Sequence, residues 1–229
     1  MLFFINLTLH SNSLRLFLKA INPLFMPINL ENKTLRRSGL PRSDFHFKVA
    51  NTLALKQKIF DSRLRIFEES FPYLIKTGNS HPAKDSFDDT SILFCCLIQD
   101  QVIASCRATP IIEDKWEVSP SMPDHVSLDM FNDGQTIQLN RVYLERGYRN
   151  QNLHVYLFFF FSQWVLKNTN YRNYFATCNA GLVRLYSSIG AKLAYPDGFK
   201  MINRGKHNYY LVHGKISDFN AIVKNEYLK

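Results

Sequence analysis

Residues 139–157, LNRVYLERGYRNQNLHVYL, change character midway. The stretch begins inside 136–144 (TIQLNRVYL), which alternates apolar and polar residues as a strand does. It passes through the polar turn Tyr148-Arg149-Asn150-Gln151-Asn152, and from Leu153 takes up apolar helical spacing. The first turn of a helix leaves backbone N–H groups free and carries the positive end of the helix dipole, so such a corner suits a phosphate. Arg146 and Arg149 flank it and suit the same anion. A plain strand–turn–helix corner with solvated arginines is the competing reading.

The neighbouring segments extend the pattern. Residues 150–167 (NQNLHVYLFFFFSQWVLK) predict a helix whose uncharged run falls short of the roughly 20 residues that cross a bilayer, so it should lie on a sheet. Residues 174–178 (YFATC) predict a strand, 181–189 a helix closed by Gly190 at its C′ position, and 209–214 (YYLVHG) a final strand. Upstream, 49–70 (VANTLALKQKIFDSRLRIFEES) shows helical spacing stopped by Phe71-Pro72. Residues 91–97 (SILFCCL) and 102–107 (VIASCR) flank a turn and predict a hairpin, and 113–134 reads as a loop or short helix. This order implies an α/β sandwich with a mixed sheet.

The 229 residues are 46% hydrophobic, which supplies a core and excludes a disordered chain. Residues 1–33 stand apart. They are apolar, but Asn, Ser, Arg and Lys cut them into pieces too short to span a membrane, and no basic segment precedes the first apolar run. They read as an interfacial amphipathic segment, an extra helix, or an over-extended start with initiation at Met26; residues 34–229 read as one domain. Four cysteines without a CxxC pair exclude a zinc ribbon or disulfide scaffold, and a cytoplasmic location is expected. The histidines lack metal-ligand spacing, so no metal is expected, and neither GxSxG nor a Walker-type loop occurs. With 28 Lys+Arg against 19 Asp+Glu, the net charge of +9 favours an acidic partner.

Asp85 and Asp88, three apart beside Phe87, would hold an ammonium or relay its proton if they line a cleft; otherwise they form a solvated turn. Arg63, Arg107 and Arg141 come from three segments. Brought together, they would bind a carboxylate or position the acidic residues, and apart they are ordinary arginines. Phe158, Phe159, Phe160, Phe161 and Trp164 could line an apolar slot, but a run covering every face of a helix reads first as core.

Tyr148, Arg149 and Leu153 resemble the acyl-CoA-binding corner of the GNAT N-acetyltransferase superfamily, Tyr-Arg-Gly-x-Gly-hydrophobic-Gly, with Asn150, Asn152 and His154 in the glycine places. Asn179 and Tyr186-Ser187-Ser188-Ile189-Gly190 are similar to its Asn … Leu-Tyr-x-x-x-Gly-Phe ending. A second set is more particular. Arg63, Phe67 and Tyr73 (Arg-x3-Phe-x5-aromatic), Asp85-Ser86-Phe87-Asp88, Arg107-Ala108-Thr109-Pro110 and Gln138-Leu139-Asn140-Arg141 follow one another in order. Together they resemble the successive motifs of the acyl-homoserine-lactone (autoinducer) synthases and the long-chain N-acyl amino acid synthases. Tyr73 stands where that pattern has Trp, and Gln138 where it has Glu. An amide takes no proton at neutral pH, so no base is expected at position 138.

The resemblance implies a GNAT-like three-layer sandwich whose mixed, mostly antiparallel twisted sheet is split by a V-shaped opening. It implies an N-acyltransferase that moves a fatty acyl group from an acyl carrier protein thioester to the amine of a small acceptor such as an amino acid. No cofactor would be tightly bound, the acyl-phosphopantetheine thioester being a co-substrate, and the partner would be the acidic carrier protein. By the same resemblance Asp85, Asp88, Arg141 and Tyr186 carry the chemistry, Tyr186 as acid for the departing thiolate. Arg63, Phe67, Tyr73, Arg107, Gln138 and Val142 line the substrates, the backbone near Val142 polarising the thioester carbonyl. Arg146, Arg149, Asn150 and Asn152 receive the phosphate. The alternatives are a coenzyme A-dependent acetyltransferase, a lactone synthase using S-adenosylmethionine, or a non-enzymatic basic protein that binds nucleic acid.

Overall fold

A computed structural model describes residues 44–75, 82–112, 115–149, 152–202, 204 and 206–222. The expectations for residues 1–33 and for Asn150 fall outside the described residues. Strand β1 (His46–Val49) pairs with the later hairpin, Val49 opposite Phe94. The expected helix therefore starts later than position 49, as α1 (Leu53–Ser70), because Thr52 caps it: its Oγ1 accepts a hydrogen bond from the Leu55 N–H at 3.2 Å. Strands β2 (Ile92–Ile98) and β3 (Gln101–Thr109) form the expected hairpin. Its two turn residues, Gln99 and Asp100, both have positive φ (46° and 70°), the turn that matches strand twist.

After two short 3-10 turns, Ser119–Ser121 and Asp129–Phe131, come β4 (Thr136–Leu144) and α2 (Leu153–Asn168). Then follow β5 (Asn173–Asn179), α3 (Ala180–Ser188), and the two-residue strands β6 (Lys192–Leu193) and β7 (Phe199–Lys200). Strand β8 (Asn208–Lys215) is longer than expected, and it is not the end: α4 (Ile216–Ile222) follows directly. Gly190 does follow α3 as its C′ residue, at φ 91°, a conformation a side chain would strain.

The sheet runs β1-β2-β3-β4-β5-β8-β6, with β7 also on β8. Every pairing is antiparallel except β4–β5, and that one spans only Thr136–Gln138 against Asn173–Phe175. Beyond Gln138 the two strands are no longer paired with each other, which leaves a V-shaped opening at the parallel junction. A bulge lies on the same stretch of β4. Ser105 faces Tyr143 and Arg107 faces Asn140, so Arg141 and Val142 together oppose Cys106. Arg141 takes φ 50°, the left-handed region where a non-glycine residue is uncommon.

Layers cover both faces. On one, α2 packs with α3 and α4 over a core that includes Phe94, Leu157, Phe158, Phe161, Tyr186 and Phe219. Four successive phenylalanines are buried, and three of them, Phe158, Phe160 and Phe161, belong to this core, the last against both Phe94 and Phe219. Phe160 meets Phe47 and Phe94, whereas Phe158 stacks on Tyr186 and Phe219. The sheet beneath them carries small residues, Ala104, Cys106, Ala108, Ala176 and Cys178, that leave room for the rings. On the other face, α1 buries Ile59 and Phe60 against Leu93, Cys95, Leu97 and Val102. The segment after β3 covers the remainder of that face with Trp116, Val118 and Phe131 on Phe175 and Leu211.

Candidate functional site

Helix α1 brings Arg63 inward, fully buried. Its Nη1 donates to both carboxylate oxygens of Asp88 (3.0 and 2.9 Å) and to the Ala83 carbonyl (3.0 Å). Asp88 belongs to the 3-10 turn Ser86–Asp89, and the spacing of the acidic pair has a local cause. Asp85 is the N-cap and accepts from the Phe87 N–H at 3.0 Å, while Asp88 reaches back to the Asp85 N–H at 2.9 Å. From β3, buried Arg107 meets Asp85 Oδ1 at 2.6 Å and Asp88 Oδ1 at 3.0 Å, and its Nε donates to Asn140 Oδ1 at 2.8 Å. At the β4 bulge, Arg141 Nη2 donates to Asp85 Oδ2 at 2.7 Å, and its guanidinium lies 5.6 Å from the Phe67 ring centre. Arg63, Phe67, Asp85, Asp88, Arg107 and Arg141 are thus one contiguous cluster beside the V.

Glu117 completes it. Its Oε1 accepts from Arg141 Nη2 (3.0 Å) and Arg204 Nη2 (3.1 Å), with Arg107 Nη2 at 3.5 Å, and its Oε2 accepts from Gln138 Nε2 at 3.1 Å. Sequence reasoning passed over Glu117, Asn140 and Arg204. Glu117 and Arg204 lie in segments without a period. The available signal was a lone carboxylate between Trp116 and Val118, both of them buried. Tyr73 is half-buried and set slightly apart: its hydroxyl lies 3.0 Å from that of Tyr209, which donates to the Arg204 carbonyl.

Burial works against the charge on Asp85, but the Arg107 and Arg141 guanidiniums override it and hold its carboxyl far below the usual carboxylate range. Glu117 is likewise held below its ordinary value, burial being outweighed by Arg141, Arg107 and Arg204. Both carboxylates therefore favour the ionised form and are held in ion pairs with the arginines. Burial and the nearby Arg107 charge pull Arg141 below its ordinary value, against the opposing pull of Glu117 and Asp85. Its Nε and Nη1, with Arg63 Nε and Nη2, are buried and have no hydrogen-bond partner among the described residues.

On the other side of the corner, Val142 follows Arg141 in the bulge and is half-buried. Asn152, at φ 56°, is the N-cap of α2, and its side chain makes no capping hydrogen bond, so it does not satisfy the first helical amides. Arg149 is exposed, its Nε donating to the Leu144 carbonyl at 3.3 Å. Arg146 is exposed too and lies 3.4 Å from Glu69 of α1. Tyr186 is buried against Phe158, and burial, with Cys178, Tyr174 and Cys106 nearby, keeps its phenol protonated far above the ordinary range.

His154 occupies a glycine place of the corner, and burial pushes its imidazole down to about 4. In the unfolded chain it titrates near ~6.5, so between those values the unfolded state binds more protons and acid favours unfolding. Denaturant titrations should therefore show stability falling by about 3 kcal/mol between roughly pH 7 and pH 4 from this residue. His154→Gln should flatten that part of the profile.

No protein-family model matches the sequence, and no curated protein does. Solved structures do. The chain is similar to a CoA-dependent acyl-homoserine lactone synthase, BjaI, with SAM and isopentyl-CoA: TM-score 0.60, 15% identity, covering 80% of this chain and 88% of that one. It is similar to FeeM, an N-acyl amino acid synthase from uncultured soil microbes: TM-score 0.60, 9% identity, covering 77% and 93%. It is also similar to an N-acetyltransferase structure, described as putative in its own name, from Lactobacillus plantarum: TM-score 0.54, 14% identity, covering 76% and 99%. At such low identities these likenesses establish the fold: this is a GNAT-like α/β sandwich of the kind seen in acyl-homoserine lactone and N-acyl amino acid synthases.

Proposed function

We propose that the chain is an N-acyltransferase that moves an acyl group from a phosphopantetheine thioester to the amine of a small acceptor such as an amino acid. The observation that carries this reading is the convergence of Arg63, Asp85, Asp88, Arg107 and Arg141, from four separate segments, into one buried ion cluster beside the opening between β4 and β5. The thioester carbonyl lies in that opening, where the bulge at Arg141 and Val142 frees backbone N–H groups for the developing oxyanion. The acceptor's amine attacks the carbonyl carbon, the N–C bond forms and the C–S bond breaks. Tyr186 gives its phenolic proton to the departing thiolate and regains one from the nitrogen, so that the net transfer is one proton from nitrogen to sulfur and the products are amide and thiol. Arg141, with two buried N–H groups unpartnered among the described residues, takes an acceptor carboxylate. The phosphate of the arm sits at the α2 N-terminus beside Asn152 and Arg149, with Asn150 between them in sequence.

The donor is an acyl carrier protein thioester. The net charge of +9 and the exposed Arg146 and Arg149 near the arm suit an acidic carrier. Among the described residues no helix is long and apolar enough to cross a membrane. Mass spectrometry of lipid extracts from cells overproducing the protein should reveal a new N-acylated amine. Purified protein should then make it faster from the carrier thioester than from the matching acyl-CoA. The reverse preference would assign coenzyme A as donor, and no new product from either would refute the reading.

A further inference from the structure

Gln138 stands at the vertex of the V. It is the last residue of β4 paired with β5, opposite Phe175, and its side chain is buried. An amide can lie either way round, and Glu117 decides the matter. Gln138 Nε2 is 3.1 Å from Glu117 Oε2, and reversal would set a carbonyl oxygen against a carboxylate oxygen, acceptor against acceptor. The carboxylate does not escape by taking a proton, because Arg141, Arg107 and Arg204 hold it ionised against burial. Gln138 Oε1 is therefore fixed in direction, buried, and without a hydrogen-bond partner among the described residues. A buried acceptor left empty is costly, so a ligand N–H is its natural partner.

We propose that Glu117 is a positioning residue for the acyl acceptor: by fixing the Gln138 amide, it presents Oε1 to an N–H of the incoming amine. This rests on the acyl-transfer reading. A carboxylate at position 138 would favour the ammonium form, which has no lone pair with which to attack. A neutral amide oxygen accepts a hydrogen bond from the amine without raising its basicity, so the site suits an acceptor whose amine arrives uncharged. Gln138 takes no proton; its part is to aim the nitrogen at the thioester carbon.

The test uses Glu117→Gln, Gln138→Met and the double variant, with two readouts. The first needs no turnover. In protein labelled with nitrogen-15 at its glutamine side chains, the Gln138 amide pair is assigned by its loss in Gln138→Met. It should exchange slowly with solvent and lie downfield in the wild type, and should shift back in Glu117→Gln. A wild-type pair that exchanges as fast as exposed glutamines overturns the proposal. The second is steady-state kinetics with the carrier thioester and the twenty protein amino acids, taking the one turned over fastest. Glu117→Gln should raise the acceptor KM about tenfold or more and change the donor KM by less than about twofold. In the Gln138→Met background the same substitution should raise the acceptor KM clearly less than in the wild type, because the route through Gln138 is gone and only the contact with Arg141 remains. Full additivity would overturn the proposal. A wild type that acylates none of the twenty would refute the role toward an amino-acid amine, while the amide signal would still uphold or overturn the fixed orientation by itself.

Discussion

Asp88→Ala is expected to destabilise the fold by about 3–5 kcal/mol, because it leaves the Arg63 guanidinium buried with its charge uncompensated. Both partners are fully buried, so neither water nor salt screens the loss. In a protein of this size that is a fall in melting temperature of roughly 10 °C. Arg63→Met combined with Asp88→Leu should recover most of it, since removing both charges removes the desolvation cost together with the attraction. The paired variant should nevertheless lack acyl transfer, because Asp88 also anchors Arg107. Calorimetry on the three proteins checks this. A double variant as unstable as Asp88→Ala would show that the pair is not the source of the loss.

Arg141→Ala is expected to reduce kcat/KM about 100-fold, on the order of 3 kcal/mol of transition-state stabilisation. The side chain joins Asp85 to Glu117 and carries two N–H groups without partners among the described residues, so its loss removes both the joint and the anion contact. Arg141→Lys should restore little, because a single ammonium could take the place of Nη2 between the two carboxylates but would leave no Nε or Nη1 for the anion. Arg141→Gly separates backbone from side chain. Glycine is at ease at the φ of 50° found here, so this variant should melt higher than Arg141→Ala yet be just as inactive. Rates and melting curves of the three variants decide. An active Arg141→Gly would remove the guanidinium from the mechanism.

Much of this arrangement was legible in the chain. The alternation in 136–144, the helix from Leu153 and the β2–β3 hairpin all follow from period and turn chemistry. The Asp85–Asp88 spacing proved to be a capping box, a local signal as readable as any helix start. What escaped has physical reasons. Strand β1 is four residues long with half its side chains exposed, too short for a period to declare itself, and α4 is only seven residues long. The β4 bulge leaves no mark in composition, although it sets where Arg141 and Val142 lie relative to the opening. Glu117 and Arg204 act through contacts 24 and 87 residues away in sequence, respectively with Arg141 and with each other, which no local pattern encodes. Gln138 has a carboxylate beside it all the same, that of Glu117 from another segment.

The most direct measurement is a crystal structure of the protein with a 2-oxoalkyl thioether of phosphopantetheine, an analogue that keeps the carbonyl but places a methylene between it and sulfur, so that the site cannot cleave it. The carbonyl oxygen should lie between β4 and β5 within hydrogen-bond reach of the backbone at Val142, with the phosphate at the α2 N-terminus by Asn152. An analogue bound elsewhere, with that opening empty, would contradict the assignment of the V as the place of acyl transfer.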